Sequence, residues 1–204
     1  MRIPGLPCRS SQKLVVTTES RHKEPAAPNL LNRKFAVCVP HTVWVTDITY
    51  LKVGRKWHYL TIFIDLFSRI VVEWDLSDSL ERHSAIRAFH KSIVRRRPAS
   101  GLMVHSDRGI QFASCDFRAE LSRHGCVQSM SHKGNCRDSA VAEFFFHTLK
   151  TQFIKHRQFS NRIEDEVSLF QYIEAYYSRR RRYSSNGGMS PAEFEQLQIM
   201  KDVA

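Results

Sequence analysis

Apolar and polar positions alternate most clearly between residues 43 and 74. Residues 43–53 are rich in β-branched and aromatic side chains, and residues 57–66 and 70–74 form two further runs of this kind. Runs of this length and composition predict β-strands. Because only short turns separate them, we expect the three strands to form an antiparallel meander.

The periodicity then becomes helical over residues 79–94, where Ile86, Phe89 and Ile93 share one face. A short strand, a helix and a second short strand follow at 102–105, near 114–124 and around 126–128. Three strands followed by α-β-α-β-α predict a mixed five-stranded sheet with helices on both faces. The predicted fold class is therefore α/β, with an RNase H-like layout.

The C-terminal third is predicted to be helical, at 138–156 and again at 163–178. Ser190-Pro-Ala-Glu193 has the pattern of a capping box with proline at the first helical position, which predicts a last helix at 191–200.

The first forty residues, in contrast, are polar, basic and interrupted by prolines, which is typical of an extended arm or linker. We therefore expect three parts: an N-terminal arm, a catalytic core and a helical C-terminal extension, at 1–40, 41–156 and 157–204.

Charge adds a candidate partner to this picture. Lysine and arginine exceed aspartate and glutamate by 11 in 204 residues. A basic excess of this size favours a polyanionic partner, most often nucleic acid, although a charge that serves solubility is the alternative. No apolar run reaches the length of a membrane span, the start lacks the apolar core of a signal peptide, and the five cysteines lack zinc-finger spacing. A cytoplasmic protein with reduced thiols is expected.

Three acidic residues stand in settings where a carboxylate is unusual. Asp47 interrupts an apolar strand, Asp107 ends another, and Glu143 sits at the edge of the apolar face of a helix. Burying a carboxylate is costly unless a partner offsets it. Three such acids meeting in space would bind magnesium, as in phosphoryl transfer on nucleic acid. The alternatives are a distant arginine partner for Asp47, a turn cap for Asp107 and a helix pair with His147 or Lys150 for Glu143.

Two basic segments are candidates for contact with DNA. The loop before the Glu143 helix carries His132, Lys133 and Arg137, which could hold phosphates near the metal ions. The run Arg179, Arg180, Arg181 and Arg182 follows several tyrosines, and basic side chains beside aromatic ones suit a nucleic-acid backbone. A solvated loop and a solvated helix end are the alternatives. Trp57, Trp74 and Phe144–Phe146 are interpreted as core.

These motifs together resemble the catalytic protein of bacterial insertion sequences of the insertion-sequence-three group, whose transposases share the core of retroviral integrases. The resemblance covers about residues 29–195. It rests on the following stretches: Asn29-Leu-Leu-Asn-Arg-Lys-Phe35, Trp44-Val-Thr-Asp-Ile-Thr-Tyr50, Tyr59-Leu60, Ile64-Asp-Leu-Phe-Ser-Arg69, His105-Ser-Asp-Arg-Gly-Ile-Gln-Phe112, Ser129-Met-Ser-His-Lys-Gly-Asn-Cys136, Glu143-Phe-Phe with Leu149-Lys150, Tyr172-Ile-Glu-Ala-Tyr-Tyr177 and Pro191-Ala-Glu-Phe194.

The resemblance implies a catalytic triad of Asp47, Asp107 and Glu143, and 35 residues separate the last two. It also implies DNA contacts by Lys150 and Gln111. The sequence departs from the family pattern at Asp138-Ser139-Ala140, where the family usually has Asp-Asn-Ala, at Ser178, and at Arg182-Tyr-Ser-Ser-Asn-Gly-Gly188. The helix-turn-helix-like N-terminal region of family members is also missing, which suggests a truncated copy.

Our first hypothesis is therefore a transposase that cleaves and transfers DNA strands with two Mg²⁺ ions, or Mn²⁺ as a substitute, held by the three carboxylates. Its expected partners are double-stranded DNA at the element ends and target, further copies of itself, and an upstream-frame helix-turn-helix partner. It would act on the bacterial nucleoid in the cytoplasm. The second hypothesis is a non-catalytic DNA-binding remnant. An RNase H-like RNA nuclease is a third, which the 35-residue spacing disfavours.

Overall fold

Five strands form one mixed sheet in the computed structural model, in the order β3-β2-β1-β4-β5. The first three strands pair antiparallel, and β4 pairs parallel with both β1 and β5. This confirms the predicted RNase H-like α/β class, with the strand that carries Asp47 at the centre of the sheet. The strands are β1 (Val43–Val53), β2 (Lys56–Asp65), β3 (Val71–Ser77), β4 (Met103–Ser106) and β5 (Val127–Met130). The structure describes residues 24–53, 56–80, 82–132, 136–157 and 161–203.

Helices connect and cover these strands as the sequence predicts. The second predicted helix begins earlier, as a separate turn at Ile110, and a π-helix prolongs α5. The helices are α1 (Arg82–Arg96), α2 (Ile110–Ala113), α3 (Cys115–Arg123), α4 (Ala140–Gln152), α5 (Arg162–Phe170), the π-helix Gln171–Tyr177 and α6 (Pro191–Val203). Short 3-10 turns lie at Cys136–Ser139, Ile154–His156 and Ser184–Asn186.

Alternation along β1 divides the core into two layers. Val43 and Val45 pack with Leu149 of α4 on one face of the sheet, which we call the α4 face. Trp44 packs with Phe89 of α1 on the other, the α1 face. Successive strand residues point to opposite faces, so the period of two in the sequence is what builds a buried layer on each side.

Segments at both ends of the described chain join the α4 face. Leu31 from the N-terminal side and Leu169 and Tyr177 from the C-terminal side are buried in the same cluster as β1 and α4. Tyr177 also donates a hydrogen bond from its hydroxyl to the carbonyl oxygen of Arg69, at 3.1 Å. The first 23 residues of the predicted N-terminal arm lie outside the described residues.

Local predictions can be checked at single side chains. The capping box is confirmed, since the Ser190 N–H donates to Glu193 Oε2 and the Glu193 N–H donates to Ser190 Oγ. Trp57 and Phe144 were expected in the core, and this was wrong: they are 55% and 49% exposed. Trp57 lies at the start of β2 and contacts Tyr50 edge to face, and it is left half open to solvent where the strand begins. No helix of the described chain is long and apolar enough to cross a membrane.

Candidate active site

The parallel register of β1 and β4 places two predicted catalytic acids side by side. Val45 of β1 is the partner of His105 in β4. Two residues further along, Asp47 and Asp107 come to the same level and face the same side, because side chains repeat with a period of two. Both line one small cavity of ≈ 10 Å³, which is about the space for one water molecule or ion.

Helix α4 supplies the third acid. Ala142, Phe146 and Leu149 are buried on the sheet, as the predicted apolar stripe requires, and they fix the orientation of the helix. Glu143 lies in its first turn, beside this stripe, with an exposed side chain. Its charge acts on Asp47, so the helix brings Glu143 towards the two aspartates. We call Asp47, Asp107 and Glu143 the acidic edge.

Electrostatics at the acidic edge disfavour negative charge. Burial raises the pKa of Asp47 well above its ordinary value, and the charges of Asp107 and Glu143 raise it further. A hydrogen bond of 2.7 Å from the Ile48 N–H to Asp47 Oδ1 lowers it, but by less. Burial also raises the pKa of Glu143. A bound cation would relieve this repulsion, whereas the surrounding protein does so only in part.

The three carboxylates of the acidic edge are widely spaced. Two other groups in the described residues bring three possible metal ligands within 4.8 Å of one another: His41 with Asp65 and Glu195, and His90 with Glu120 and His124. The three acids of the acidic edge are more widely spaced than these groups. Mutual repulsion gives a physical reason for this spacing, because the charges of Asp107 and Glu143 both act on Asp47.

Gln111 and Lys150, both predicted to contact DNA, flank the acidic edge. Gln111 is buried, lines the same cavity as Asp47, and donates a hydrogen bond from Nε2 to the Leu80 carbonyl oxygen at 3.2 Å. Lys150 lies on α4 two turns after Glu143. Partial burial lowers the pKa of Lys150, and the charge of Asp47 opposes this shift. Lys150 therefore lies at the rim of the site, close enough for its charge to interact with that of Asp47.

Of the three basic side chains predicted to contact DNA in the loop before α4, the structure describes that of His132. His132 is exposed, and its Nδ1 lies 2.9 Å from Asp138 Oδ2 and 2.9 Å from Asn29 Nδ2. One edge of the ring is thus engaged within the protein, and the other faces solvent. Lys133 and the side chain of Arg137 lie outside the described residues.

The arginine run divides into one packed and three exposed side chains. Arg181 stacks over Tyr183 at 4.7 Å and over Phe144 at 5.3 Å, so its guanidinium joins the C-terminal segment to α4 next to Glu143. Cation–π contacts of this kind hold a guanidinium in place. Arg179, Arg180 and Arg182 are exposed and follow the π-helix.

Sequence reasoning missed a cluster around Asp138, whose side chain is 1% exposed. Its carboxylate accepts hydrogen bonds from Asn29 Nδ2 at 3.0 Å, Arg33 Nε at 2.8 Å and the His132 N–H at 3.0 Å. Burial alone would raise the pKa of Asp138, yet these donors and the Arg33 charge hold it well below its usual range. We call Asp138, Asn29, Arg33 and His132 the Asp138 cluster. It anchors the start of α4, and the sequence signal was an acid five residues before Glu143.

A five-stranded RNase H-like sheet with carboxylates at adjacent strands and on the following helix defines an integrase-type core. Two family models described as integrase core domain match the chain, at residues 39–136 and 143–199. The transposase InsF for insertion sequence IS3A of Escherichia coli (strain K12) is 40% identical over 195 residues, which are 96% of this chain and 68% of that protein. The chain belongs to the insertion-sequence-three family of transposases with an integrase-type core.

Solved structures support the fold independently of close sequence similarity. A chain of the simian T-cell lymphotropic virus intasome in complex with a PP2A regulatory subunit has a TM-score of 0.62 at 18% identity, covering 81% of this chain and 56% of that one. The catalytic core domain of HTLV-2 integrase, solved in complex with magnesium, has a TM-score of 0.52 at 16% identity, covering 75% and 94%. At these identities the likeness shows the retroviral-integrase fold.

Proposed function

We propose that this protein is a metal-dependent polynucleotidyl transferase that cleaves DNA strands at the ends of an insertion sequence and transfers them to target DNA. Family membership supports the transposase function, and nothing in the comparisons favours the non-catalytic remnant. The specific proposal is that Asp47, Asp107 and Glu143 are its catalytic residues.

The parallel register of β1 and β4 is the observation that carries this proposal. It brings Asp47 and Asp107 to one cavity, whose other lining residues are uncharged. An acid in a cavity whose pKa is raised by burial and by neighbouring acids, as that of Asp47 is, is a candidate functional group. Glu143 completes the set from α4, and its charge is felt at Asp47.

The donor chemistry fits Mg²⁺, since all three side chains offer carboxylate oxygens, the ligands that this ion prefers. Bound Mg²⁺ ions would activate the attacking hydroxyl and stabilise the leaving 3′-oxygen in an in-line displacement at phosphorus. The carboxylates would hold the ions at the cavity shared by Asp47 and Asp107. Attack by water or a DNA 3′-hydroxyl needs no covalent enzyme intermediate, so no nucleophilic side chain is required.

Basic side chains around the acidic edge would position the duplex. Lys150 stands at its rim on α4, and the solvent edge of His132 faces outwards before the same helix. Arg179, Arg180 and Arg182 offer exposed charge, whereas Arg181 acts through its packing on Phe144. Gln111 is proposed to shape the cavity around the reacting strand, and Lys133 and Arg137 remain predicted phosphate contacts.

The proposed partners are double-stranded DNA and further copies of this chain, in keeping with a neighbour that is an intasome subunit. An upstream-frame helix-turn-helix partner, action at the nucleoid, and the division into parts at 1–40, 41–156 and 157–204 remain predictions.

Strand cleavage and transfer on a duplex that carries the element's terminal repeat test this proposal. Asp107→Asn and Glu143→Gln should each lose magnesium-dependent activity by at least about 1000-fold, since each removes a ligand of the reacting centre. Glu166→Gln is the matched control, because Glu166 is an exposed acid of α5. Its activity should equal that of the unchanged protein. Near-normal activity in Asp107→Asn would refute the triad, and salt-sensitive DNA binding without any turnover in the unchanged protein would favour the remnant.

A further inference from the structure

We propose that His90, Glu120 and His124 form a second cation site, suited to a transition-metal ion such as Zn²⁺. Their ligand atoms all lie within 4.8 Å of one another. His90 Nε2 is 2.9 Å from Glu120 Oε2, and the rings of His90 and His124 have centroids 5.9 Å apart. None of the three side chains takes part in the proposed strand transfer.

The donor set determines which ion would bind. Two imidazoles and one carboxylate are the ligands of many zinc sites that keep a fourth position open for water. Magnesium prefers oxygen ligands and an octahedral shell, so this set selects against it. Tetrahedral zinc places its ligands about 3.4 Å apart, given zinc–ligand distances of about 2.0–2.1 Å. The donors lie within 4.8 Å of one another, so shifts of up to about 1.4 Å would bring them to that spacing. The side chain of His90 is 47% exposed, which leaves it space to move.

Two packed helices, α1 and α3, position these donors. Glu120 and His124 are four residues apart, one turn at the end of α3, and the His124 N–H donates to the Glu120 carbonyl oxygen. His90 is on α1, directly after Phe89, which is fully buried. Phe89 contacts the His124 ring at 5.6 Å and Phe117 at 6.0 Å, edge to face in both cases. Aromatic contacts in the core thus fix the distance between the two helices that carry the ligands.

The site lies at the opposite end of β4 from the acidic edge. Residues just after α3 contact the start of this strand, where the Gly101 N–H donates to the Gly125 carbonyl oxygen at 2.8 Å. Asp107 follows the other end of β4. A metal bound at His90, Glu120 and His124 would therefore join α1 to α3 and leave the acidic edge untouched.

Arg123 is the group that a metal ion would have to displace. Its Nη1 forms an ion pair with Glu120 Oε1, while His90 occupies Oε2. Removal of Arg123 should therefore tighten metal binding. If the three residues formed only an ion-pair network, removal of Arg123 would not affect metal binding.

Calorimetric titration with ZnCl₂ tests the site, because the unchanged protein should bind one more equivalent of Zn²⁺ than His90→Ala. Loss of one ligand should weaken this binding by at least roughly 100-fold, as even outer-sphere changes cost 10–100-fold. His83→Ala is the matched control, since His83 is an exposed histidine of the same helix. Asp107→Asn removes a carboxylate at the other end of β4. When the chain also carries Asp107→Asn, the change His90→Ala should still remove one equivalent of bound Zn²⁺.

Arg123→Ala supplies an independent readout, with an expected gain in Zn²⁺ affinity of several-fold. Zinc should also raise the unfolding temperature of the unchanged protein more than that of His90→Ala. Equal zinc stoichiometry in His90→Ala and the unchanged protein would overturn the proposal, as would equal losses in His83→Ala and His90→Ala. Weaker zinc binding in Arg123→Ala would likewise contradict it. Far-UV circular dichroism of each variant establishes that it is folded before titration.

Discussion

Two acidic regions on either side of the start of α4 show opposite solutions to the burial of a carboxylate. Asp138 receives donors from three other residues, and its pKa falls well below the ordinary range. Asp47 receives one backbone N–H and faces two other acids, and its pKa rises well above that range. The protein can therefore satisfy an enclosed carboxylate with its own groups, and at the acidic edge it does so only in part.

The two regions are also linked through the chain. Asp138 belongs to the 3-10 turn that leads into α4, and Glu143 lies in the first turn of that helix. The Asp138 cluster joins this turn to the segment around Asn29 and Arg33. Asp138, which the protein surrounds with hydrogen-bond donors, thus holds the start of α4. The same helix brings Glu143 towards Asp47, whose charge the protein offsets only in part.

The largest effect is expected for Asp47→Asn, which should reduce magnesium-dependent strand transfer by at least about 1000-fold, or about 4 kcal/mol of transition-state stabilisation. In the absence of metal the same variant should be more stable than the unchanged protein by about 1 kcal/mol, because burial and repulsion disfavour the Asp47 charge. Chemical denaturation with chelator present measures the second effect. A metal-free Asp47→Asn that is clearly less stable would show that Asp47 is a structural acid.

Asp138→Ala should have the largest effect on stability. It leaves Arg33, Asn29 and the His132 N–H without their shared acceptor, and loss of hydrogen bonds to a buried charge should cost about 3 kcal/mol. Urea denaturation at neutral pH measures this, with Glu166→Gln as the exposed control. A loss below about 1 kcal/mol would mean that water replaces the carboxylate at little cost.

Acid should reveal the same cluster as a pH dependence. The folded-state pKa of Asp138 is lowered, so its contribution to stability is present above the ordinary value of 3.8 and is lost as pH falls below it. The stability difference between the unchanged protein and Asp138→Asn should be constant near neutral pH and should shrink towards pH 2, by up to about 1.4 kcal/mol per pH unit. A difference that stays constant down to pH 2.5 would contradict the lowered pKa.

Removal of an exposed cation from an ion pair should give the smallest effect. Lys91 Nζ lies 3.2 Å from Asp75 Oδ1, yet the lysine is about half exposed, and Arg87 also contacts this carboxylate. After allowance for solvent screening, Lys91→Met should change the free energy of unfolding by less than about 0.5 kcal/mol. Thermal denaturation of the two proteins at low and high salt checks this, and a loss similar to that of Asp138→Ala would contradict the small contribution expected of an exposed cation.

What could be predicted from the sequence was local. The strands, the helix periodicity and the capping box at Ser190 depend on neighbours within a few residues, and the structure confirms them. The exposure of Trp57 could not be read from its strand, because it depends on where the sheet ends.

Contacts between distant residues explain the rest. The partners of Asp138 at Asn29 and Arg33 are more than 100 residues away, so no local pattern marks the cluster. The convergence of Asp47 and Asp107 depends on the register of β1 and β4, which element types alone do not fix. The arrangement of His90 with Glu120 and His124 likewise requires the packing of α1 on α3. In each case the residue types were visible in the sequence, but their distances were not.

The central claim, that the acidic edge is built for a cation, is tested most directly by calorimetric titration of the unchanged protein and Asp47→Asn with MgCl₂. We expect Mg²⁺ binding by the unchanged protein, and at least roughly tenfold weaker binding by Asp47→Asn, because a carboxylate ligand and the repulsion that favours the ion are both removed. Glu166→Gln should bind as the unchanged protein does. Equal Mg²⁺ affinity in Asp47→Asn and the unchanged protein would contradict the claim.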